Sequence, residues 1–164
     1  MNYLALDQAS RITGWAVFDE NKEIKAFGKF SVAAHKTMQE RLNDFVNDLE
    51  VIITTFNPSK IFYEGIQYQN NAETYKKLAF IMAMIIYVSN VLNIEIQEMP
   101  PSHWRSILKD KFNVNFGRTR TEQKKQSQEF VKNHFNIIES EDTCDAICLG
   151  YAGLIENDKY KSAF

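Results

Sequence analysis

The chain has 164 residues, of which 45% are apolar, and a formal net charge of −2. This is enough to build one sizeable core but short for two, so we expect a single domain spanning residues 1–164. No apolar run reaches the roughly 18 residues that a membrane span needs, which excludes a membrane protein. Residues 1–4 lack the basic flank and cleavage site of an export signal, so we expect a cytoplasmic protein.

Three strand-like segments open the chain. Residues 3–6 are apolar and end at Asp7, and residues 13–18 resume the apolar run after a polar turn. Residues 24–30 alternate between two sets of side chains after a second turn. Short segments of this kind joined by turns predict an antiparallel meander of three strands.

Long helices alternate with strands in the middle of the chain. Apolar residues recur at intervals of three and four between residues 38 and 56, which predicts an amphipathic helix that ends at Asn57 and Pro58. Residues 60–64 predict a buried strand, residues 72–92 a second long helix and residues 94–97 a fifth strand. Strands that alternate with long helices are expected to pair in parallel.

Helices complete the chain. We predict a short helix over residues 101–109, a loop over 112–120, a helix over 121–134 and a last helix that Ser140 caps and that continues through residue 155. The order βββαβαβ followed by helices is the ribonuclease-H-like arrangement. The fold class we expect is therefore α/β, with a mixed five-stranded sheet flanked by helices.

Four acidic residues are candidates for one site. Asp7 and Glu64 each end a short apolar strand, where catalytic groups collect in open sheets, although a lone acid at a strand end is usually a turn former. Asp142 and Asp145 are three residues apart on one helix face, although acids are also favourable at a helix N-terminus. The small apolar residues that follow them predict that this helix start lies against the sheet. The four carboxylates would then crowd together and repel unless a cation lies among them.

Magnesium is the cation that such a group would hold. It takes oxygen ligands and keeps waters, and two such ions stabilise both the attacking and the leaving oxygen of phosphodiester hydrolysis. We therefore expect two Mg²⁺ ions, for which Mn²⁺ can substitute, with Asp7 as the ligand that bridges them.

Basic residues are concentrated between residues 105 and 125, where seven of them stand against two acidic ones. This separation of charge suits a protein that meets a polyanion on one face, and the alternative is a solvated, lysine-rich surface. On the first interpretation the segment lines a DNA path to the acidic pocket through Arg105, Lys109, Lys111, Arg118, Arg120, Lys124 and Lys125.

Three ordered motifs resemble those of RuvC-type Holliday-junction resolvases in their compact bacteriophage form. They are residues 4–7 (LALD) with 13–17 (TGWAV), residues 62–64 (FYE) with Asn71-Ala72 and Lys77-Leu78, and residues 142–146 (DTCDA). The resemblance is collinear over nearly the whole chain. It implies a homodimer that binds four-way DNA junctions and nicks symmetrically related strands, leaving ligatable ends, in the cytoplasm of a bacterial host if the chain is phage-encoded.

The resemblance also implies roles for single residues. Asp7, Glu64, Asp142 and Asp145 match the metal-binding acids, and either Lys124 or Lys125 matches a basic residue that contacts the scissile phosphate. Arg105 matches another basic position.

One position departs from the family pattern. Bacterial members carry an aromatic residue three positions after the glutamate, whereas this chain has Gln67 there and Tyr68 next. Tyr68 either stacks on an unpaired base or is an ordinary loop tyrosine. The departure favours a broader selectivity for branched DNA, including forks and three-way junctions.

Two other functions are compatible with this fold, and the candidate dimer interface has two interpretations. A ribonuclease that cuts RNA–DNA hybrids and a DNA-binding protein without catalysis are the rival functions on this fold. For the dimer, the apolar residues of the second long helix form either the interface or part of the core, and they are Phe80, Ile81, Met84, Ile85 and Val88.

Overall fold

The computed structural model describes residues 1–67 and 71–161, and Tyr68 lies outside them. The order of strands and helices is the predicted one. The elements are β1 (Asn2–Asp7), β2 (Ile12–Asp19), β3 (Ile24–Ser31), α1 (Met38–Phe56), β4 (Pro58–Glu64), α2 (Ala72–Val91), β5 (Glu95–Met99), α3 (Pro101–Phe112), α4 (Arg120–Phe135) and α5 (Glu141–Lys161).

Left-handed asparagines end three of the helices. Asn57, Asn113 and Asn136 follow α1, α3 and α4 with φ between 45° and 57°, and each donates its backbone N–H to the carbonyl four residues earlier. Asparagine tolerates this conformation better than most residues. α3 ends at the Asn113 cap, three residues beyond the predicted end at Lys109, so Phe112 belongs to the helix and not to the predicted loop.

The five strands form one mixed sheet in the order β3-β2-β1-β4-β5. β1 pairs antiparallel with β2, and β2 with β3, which confirms the meander. β4 pairs in parallel with both β1 and β5, which confirms the parallel half of the sheet.

Each face of the sheet carries its own hydrophobic core. Leu4 and Leu6 of β1 point to the face that α1 and α2 cover. Tyr3 and Ala5 point to the opposite face, under α3, α4 and α5, which we call the α5 face. Because side chains alternate along a strand, Asp7 follows Ala5 to the α5 face.

Most of the apolar stripe on α2 that was a candidate dimer interface belongs to the core. Ile81, Ile85 and Val88 are at most 3% exposed and pack against the sheet and α1, so an interface through these three residues is wrong. The apolar side chains that α2 leaves exposed include Tyr87 at 62% and Val91 at 64%. Among residues 1–67 and 71–161, no helix combines the length and apolar character that crossing a membrane requires.

α5 packs unusually close to the sheet. A Cβ atom on Gly150 would lie 2.6 Å from the Cβ of Ala5 and 2.6 Å from the ring of Phe18. A glycine at this point lets the helix axis approach the strands, which brings the first turn of α5 down to the strand ends.

Candidate active site

Asp7 and Glu64 meet at the carboxyl ends of two neighbouring parallel strands. Leu6 of β1 is in register with Tyr63 of β4, so the next residue of each strand ends it at the same level. Glu64 follows Phe62 to the α5 face, as Asp7 follows Ala5. The two carboxylates therefore share one face and one edge of the sheet.

Gly14 allows the start of α5 to join them. It is the cross-strand partner of Asp7, and a Cβ atom on it would lie only 2.0 Å from the backbone carbonyl oxygen of Asp142. The hydroxyl of Thr143 also donates to the carbonyl oxygen of Gly28 on β3, at 3.3 Å. The helix start is thus seated on β2 and β3, with Asp142 beside Asp7.

The ammonium group of Lys124 lies among three of the four acids. Its Nζ is 2.5 Å from Oδ2 of Asp145, 3.6 Å from Oδ1 of Asp142 and 3.7 Å from Oδ2 of Asp7. The side chain of Lys125 is 72% exposed and pairs with Glu129 at 3.7 Å, one helical turn further along α4. The sequence left these two lysines equivalent, and the structure separates them.

Two neighbouring residues were missed as contributors to the site. The indole Nε1 of the fully buried Trp104 donates to Oε2 of Glu64 at 3.2 Å. The amide side chain of Gln8 bonds to the backbone of Glu64. A buried tryptophan must find an acceptor for its N–H, and that requirement was a usable signal. Gln8 gave none, because its position after Asp7 looked like an ordinary turn.

Burial and mutual repulsion shift the titration of the site. Burial first, and then the carboxylates of Glu64 and Asp145, raise the pKa of Asp7 well above its ordinary value. Burial and Asp145 also raise the pKa of Glu64, against the opposing effect of the Trp104 hydrogen bond. Burial alone would lower the pKa of Lys124, but the carboxylates of Asp145 and Asp7 outweigh it and raise that pKa.

The donor set fits a divalent cation. Oδ1 of Asp145 is buried without a hydrogen-bond partner, and the side chain of Asp145 is 4% exposed. One ammonium group faces four carboxylates here, so negative charge remains uncompensated, and oxygen donors of this kind are the ligands of magnesium. In the described part of the chain, no three acidic, histidine or cysteine side chains stand ready around a common metal position.

The remaining basic residues divide into two groups. The guanidinium of Arg105 stacks over Trp104 at 4.7 Å from the ring, and its Nε is buried without a hydrogen-bond partner. The other four are exposed, on the end of α3, on the loop that follows it and at the start of α4, and they are Lys109, Lys111, Arg118 and Arg120.

The chain is similar to known Holliday-junction resolvases in both sequence and structure. The family model described as "Crossover junction endodeoxyribonuclease RuvC" matches residues 3–152. The protein of that name from Heliobacterium modesticaldum is 22% identical over 152 residues, which are 91% of this chain and 91% of the relative. The structure of Thermus thermophilus RuvC in complex with Holliday junction substrate superposes with a TM-score of 0.78 at 11% identity, covering 96% of both chains. The yeast mitochondrial Holliday junction resolvase Ydc2 superposes with a TM-score of 0.69 at 13% identity, covering 98% of this chain and 80% of that one. These likenesses confirm the predicted ribonuclease-H-like fold.

We expect Asp7→Asn to stabilise the protein when divalent ions are chelated, by roughly 0.5–2 kcal/mol, the range common for a single stabilising substitution. The raised pKa of Asp7 means that its ionised form is disfavoured in the folded state relative to the unfolded chain. Asparagine removes that penalty, so the stability of the wild type should fall relative to the variant as pH rises through the raised pKa. Urea unfolding in chelator at several pH values measures this.

The matched control is Asp110→Asn, which neutralises an exposed acid on α3. It should change stability by less than about 0.5 kcal/mol and show no comparable pH dependence. An Asp7→Asn protein less stable than the wild type in chelator would mean that the acids are compensated without a divalent ion.

Proposed function

We propose the function of this chain from its family, because it belongs to the crossover junction endodeoxyribonucleases RuvC. It is a nuclease of the Holliday-junction-resolvase type, and we propose that it nicks symmetrically related strands of four-way junctions and also acts on other branched DNA. The observation that supports the proposal is that four carboxylates and one ammonium group lie together at the carboxyl ends of β1 and β4. The compartment we propose is the cytoplasm, that of a bacterial host if the chain is phage-encoded.

We propose that Asp7, Glu64, Asp142 and Asp145 hold two Mg²⁺ ions. Bound there, the ions would supply Lewis-acid stabilisation of the charge that develops during phosphodiester hydrolysis. The buried, unpartnered Oδ1 of Asp145 and the raised pKa of Asp7 support this set of ligands.

Lys124 is the residue to which we assign the contact with the scissile phosphate. Its side chain is 14% exposed and already lies among the acids, whereas the ammonium of Lys125 is solvated. From this position the ammonium would stabilise the extra negative charge of the phosphorane-like transition state. Water would attack phosphorus and lose one proton to the solvent as the P–O3′ bond breaks. The leaving O3′ takes a proton, and the products are a 5′-phosphate and a 3′-hydroxyl, which are ligatable ends.

The exposed basic residues supply a path for the DNA backbone. Lys109, Lys111, Arg118 and Arg120 lie on α3, the loop after it and the start of α4, the helix that carries Lys124. Phosphate contacts of this kind position a duplex without reading its sequence. Arg105 is half-buried, and its charge opposes the rise in the pKa of Glu64 that burial and Asp145 cause, so we assign it to supporting the site.

A homodimer is the assembly we propose, because two matched cuts need two identical sites and a two-fold pair presents them. The exposed apolar residues of α2 are the candidate interface. Phe80, Tyr87 and Val91 are 40%, 62% and 64% exposed and recur at intervals of seven and four, on one helix face.

Glu64→Gln should reduce cleavage of a labelled four-way junction by at least about a hundredfold in magnesium while leaving the junction Kd within about twofold. The acid holds the cation, whereas phosphate contacts elsewhere supply affinity. Chelator should stop cleavage by the wild type in the same assay. Glu50→Gln, at an exposed site on α1, is the control and should cleave normally. Normal cleavage by Glu64→Gln, or in excess chelator, would contradict the proposed mechanism.

Lys124→Met should slow cleavage at saturating junction by about a hundredfold, because it removes a cation that acts mainly in the transition state. Single-turnover rates and binding curves at several salt concentrations measure the effect.

Two controls separate charge near the site from charge on the DNA path. Lys125→Met should leave the saturated rate unchanged. Arg120→Ala should instead weaken binding and lower the slope of log affinity against log salt by about one. Equal saturated rates for Lys124→Met and the wild type would mean that Lys124 has only a structural role.

Tyr87→Lys should convert the protein from dimer to monomer in sedimentation equilibrium, because it places a charge in the centre of the proposed apolar interface. Val51→Lys is the control, since Val51 is 65% exposed on α1. It should leave the mass unchanged. A monomeric wild type at working concentration, with and without junction DNA, would exclude the dimer.

A further inference from the structure

The side-chain amide of Gln8 bonds to the backbone of β4 at the level where the pairing of β1 with β4 has ended. The β1–β4 ladder pairs residues as far as Leu6 and Tyr63, and β1 ends at Asp7. At the next level the Nε2 of Gln8 donates to the carbonyl oxygen of Glu64 at 2.5 Å, and the backbone N–H of Glu64 donates to Oε1 of Gln8 at 3.0 Å. One side-chain amide thus satisfies both backbone groups of Glu64.

The pair is a ring of two hydrogen bonds between one side-chain amide and one backbone residue. A glutamine amide carries an acceptor oxygen and a donor nitrogen side by side, so the same group bonds to both the N–H and the carbonyl oxygen of Glu64. Gln8 is only 6% exposed, so its two bonds are shielded from competing water. On the other side of β4, Glu64 pairs with Met99, and the N–H of Gly65 donates to the Met99 carbonyl at 3.1 Å. The backbone at Glu64 is held from both sides.

The two hydrogen bonds of Gln8 matter for the position of Glu64 because a pocket lies beside that residue. A pocket lined by Gln8, Glu64, Gly65, Leu78 and Pro101, among others, lies beside the strand end. This pocket borders the end of β4. Among the described residues, the indole of Trp104 donates one hydrogen bond to the carboxylate of Glu64, at 3.2 Å. The carboxylates of Asp7 and Asp145 repel that of Glu64.

We propose that Gln8 is a positioning residue for the cleavage reaction: by pairing with the backbone of Glu64, it keeps that carboxylate within reach of Asp7 and Asp145. This inference rests on the proposed function, in which Glu64 helps to hold the cation. In this proposal Gln8 acts through the backbone of Glu64 and not on the reacting atoms. Loss of its two bonds should let Glu64 shift towards the pocket, and a displacement of about 1 Å at a reacting centre costs roughly a hundredfold in rate.

The test is Gln8→Met, which keeps the length and apolar stem of the side chain and removes both hydrogen bonds. We expect the cleavage rate at saturating four-way junction to fall by about ten- to a hundredfold, with the junction Kd within about twofold of the wild type. We also expect the backbone amide of Glu64 to exchange with solvent at least about tenfold faster, measured by NMR, while the amides of Leu6 and Tyr63 keep their protection.

The matched control is Asn2→Leu, at the opposite end of β1. The Nδ2 of Asn2 donates to the carbonyl oxygen of Phe56 at 2.6 Å, so this variant also removes a side-chain amide bond to backbone. It should lower the melting temperature without changing the saturated cleavage rate or the exchange of the Glu64 amide. Gln8→Met should differ from it in both readouts at temperatures where both variants are fully folded.

Three outcomes would overturn the inference: an unchanged cleavage rate in Gln8→Met, equal slowing in Asn2→Leu, or unchanged exchange at Glu64. Failure of the proposed function looks different, because the wild type itself would then not nick the junction. In that case the Glu64 exchange rate still decides whether Gln8 fixes the strand end.

Discussion

The close approach of α5 to β2 is the constraint on which the site depends. Gly14 pairs with Asp7 across the sheet, and only the missing side chain lets the backbone of Asp142 lie against it. Any larger residue would lift the first turn of α5 from the strand ends. Without that contact Asp7 and Glu64 would be a pair of acids on a sheet edge, and Asp142 and Asp145 would be an ordinary acidic helix start. A glycine with no chemistry of its own thus creates the cluster.

Gathering these carboxylates works against the folding of the protein. Burial and neighbouring charges raise the pKa of Asp7 and Glu64, so their ionised forms are less stable here than in water. Lys124 offsets part of this charge through Asp145, Asp142 and Asp7. Carboxylates that repel one another in this way favour a cation among them. The charge distribution that weakens the fold is therefore also the one that the proposed metal binding would relieve.

The fold could be predicted from the sequence because helices and strands each show a characteristic spacing of apolar residues. Alternation marked β3, and spacing by three and four marked α1, since burial on one face imposes these patterns. Errors occurred at boundaries that depend on single conformations, such as the left-handed Asn113 that ends α3. The apolar stripe of α2 shows a second limit. Apolar residues are required both by a core and by an interface, so the pattern did not separate Ile85, which is buried, from Tyr87, which is exposed.

The site was predictable to the extent that its residues have a chemical signature. Asp7 and Glu64 end apolar strands and could be found one by one, but the choice between Lys124 and Lys125 depended on which side of α4 faces the acids. Gln8 could not be found at all. Its contribution is to hydrogen-bond a backbone 56 residues away, which depends on the parallel pairing of β1 with β4 and not on any local pattern.

Holding Glu64 requires more than the residues that carry charge. Mutual repulsion pushes Glu64 away from Asp7 and Asp145, and a flexible strand end beside a pocket would yield to it. Two neutral groups oppose this movement: the indole of Trp104 bonds to the carboxylate, and the amide of Gln8 bonds to the backbone behind it. Neutral donors suit this purpose because a further cation would compete with the metal that we propose for this site. In the proposed reaction the four acids and Lys124 therefore supply the chemistry, and buried neutral residues help to fix the geometry.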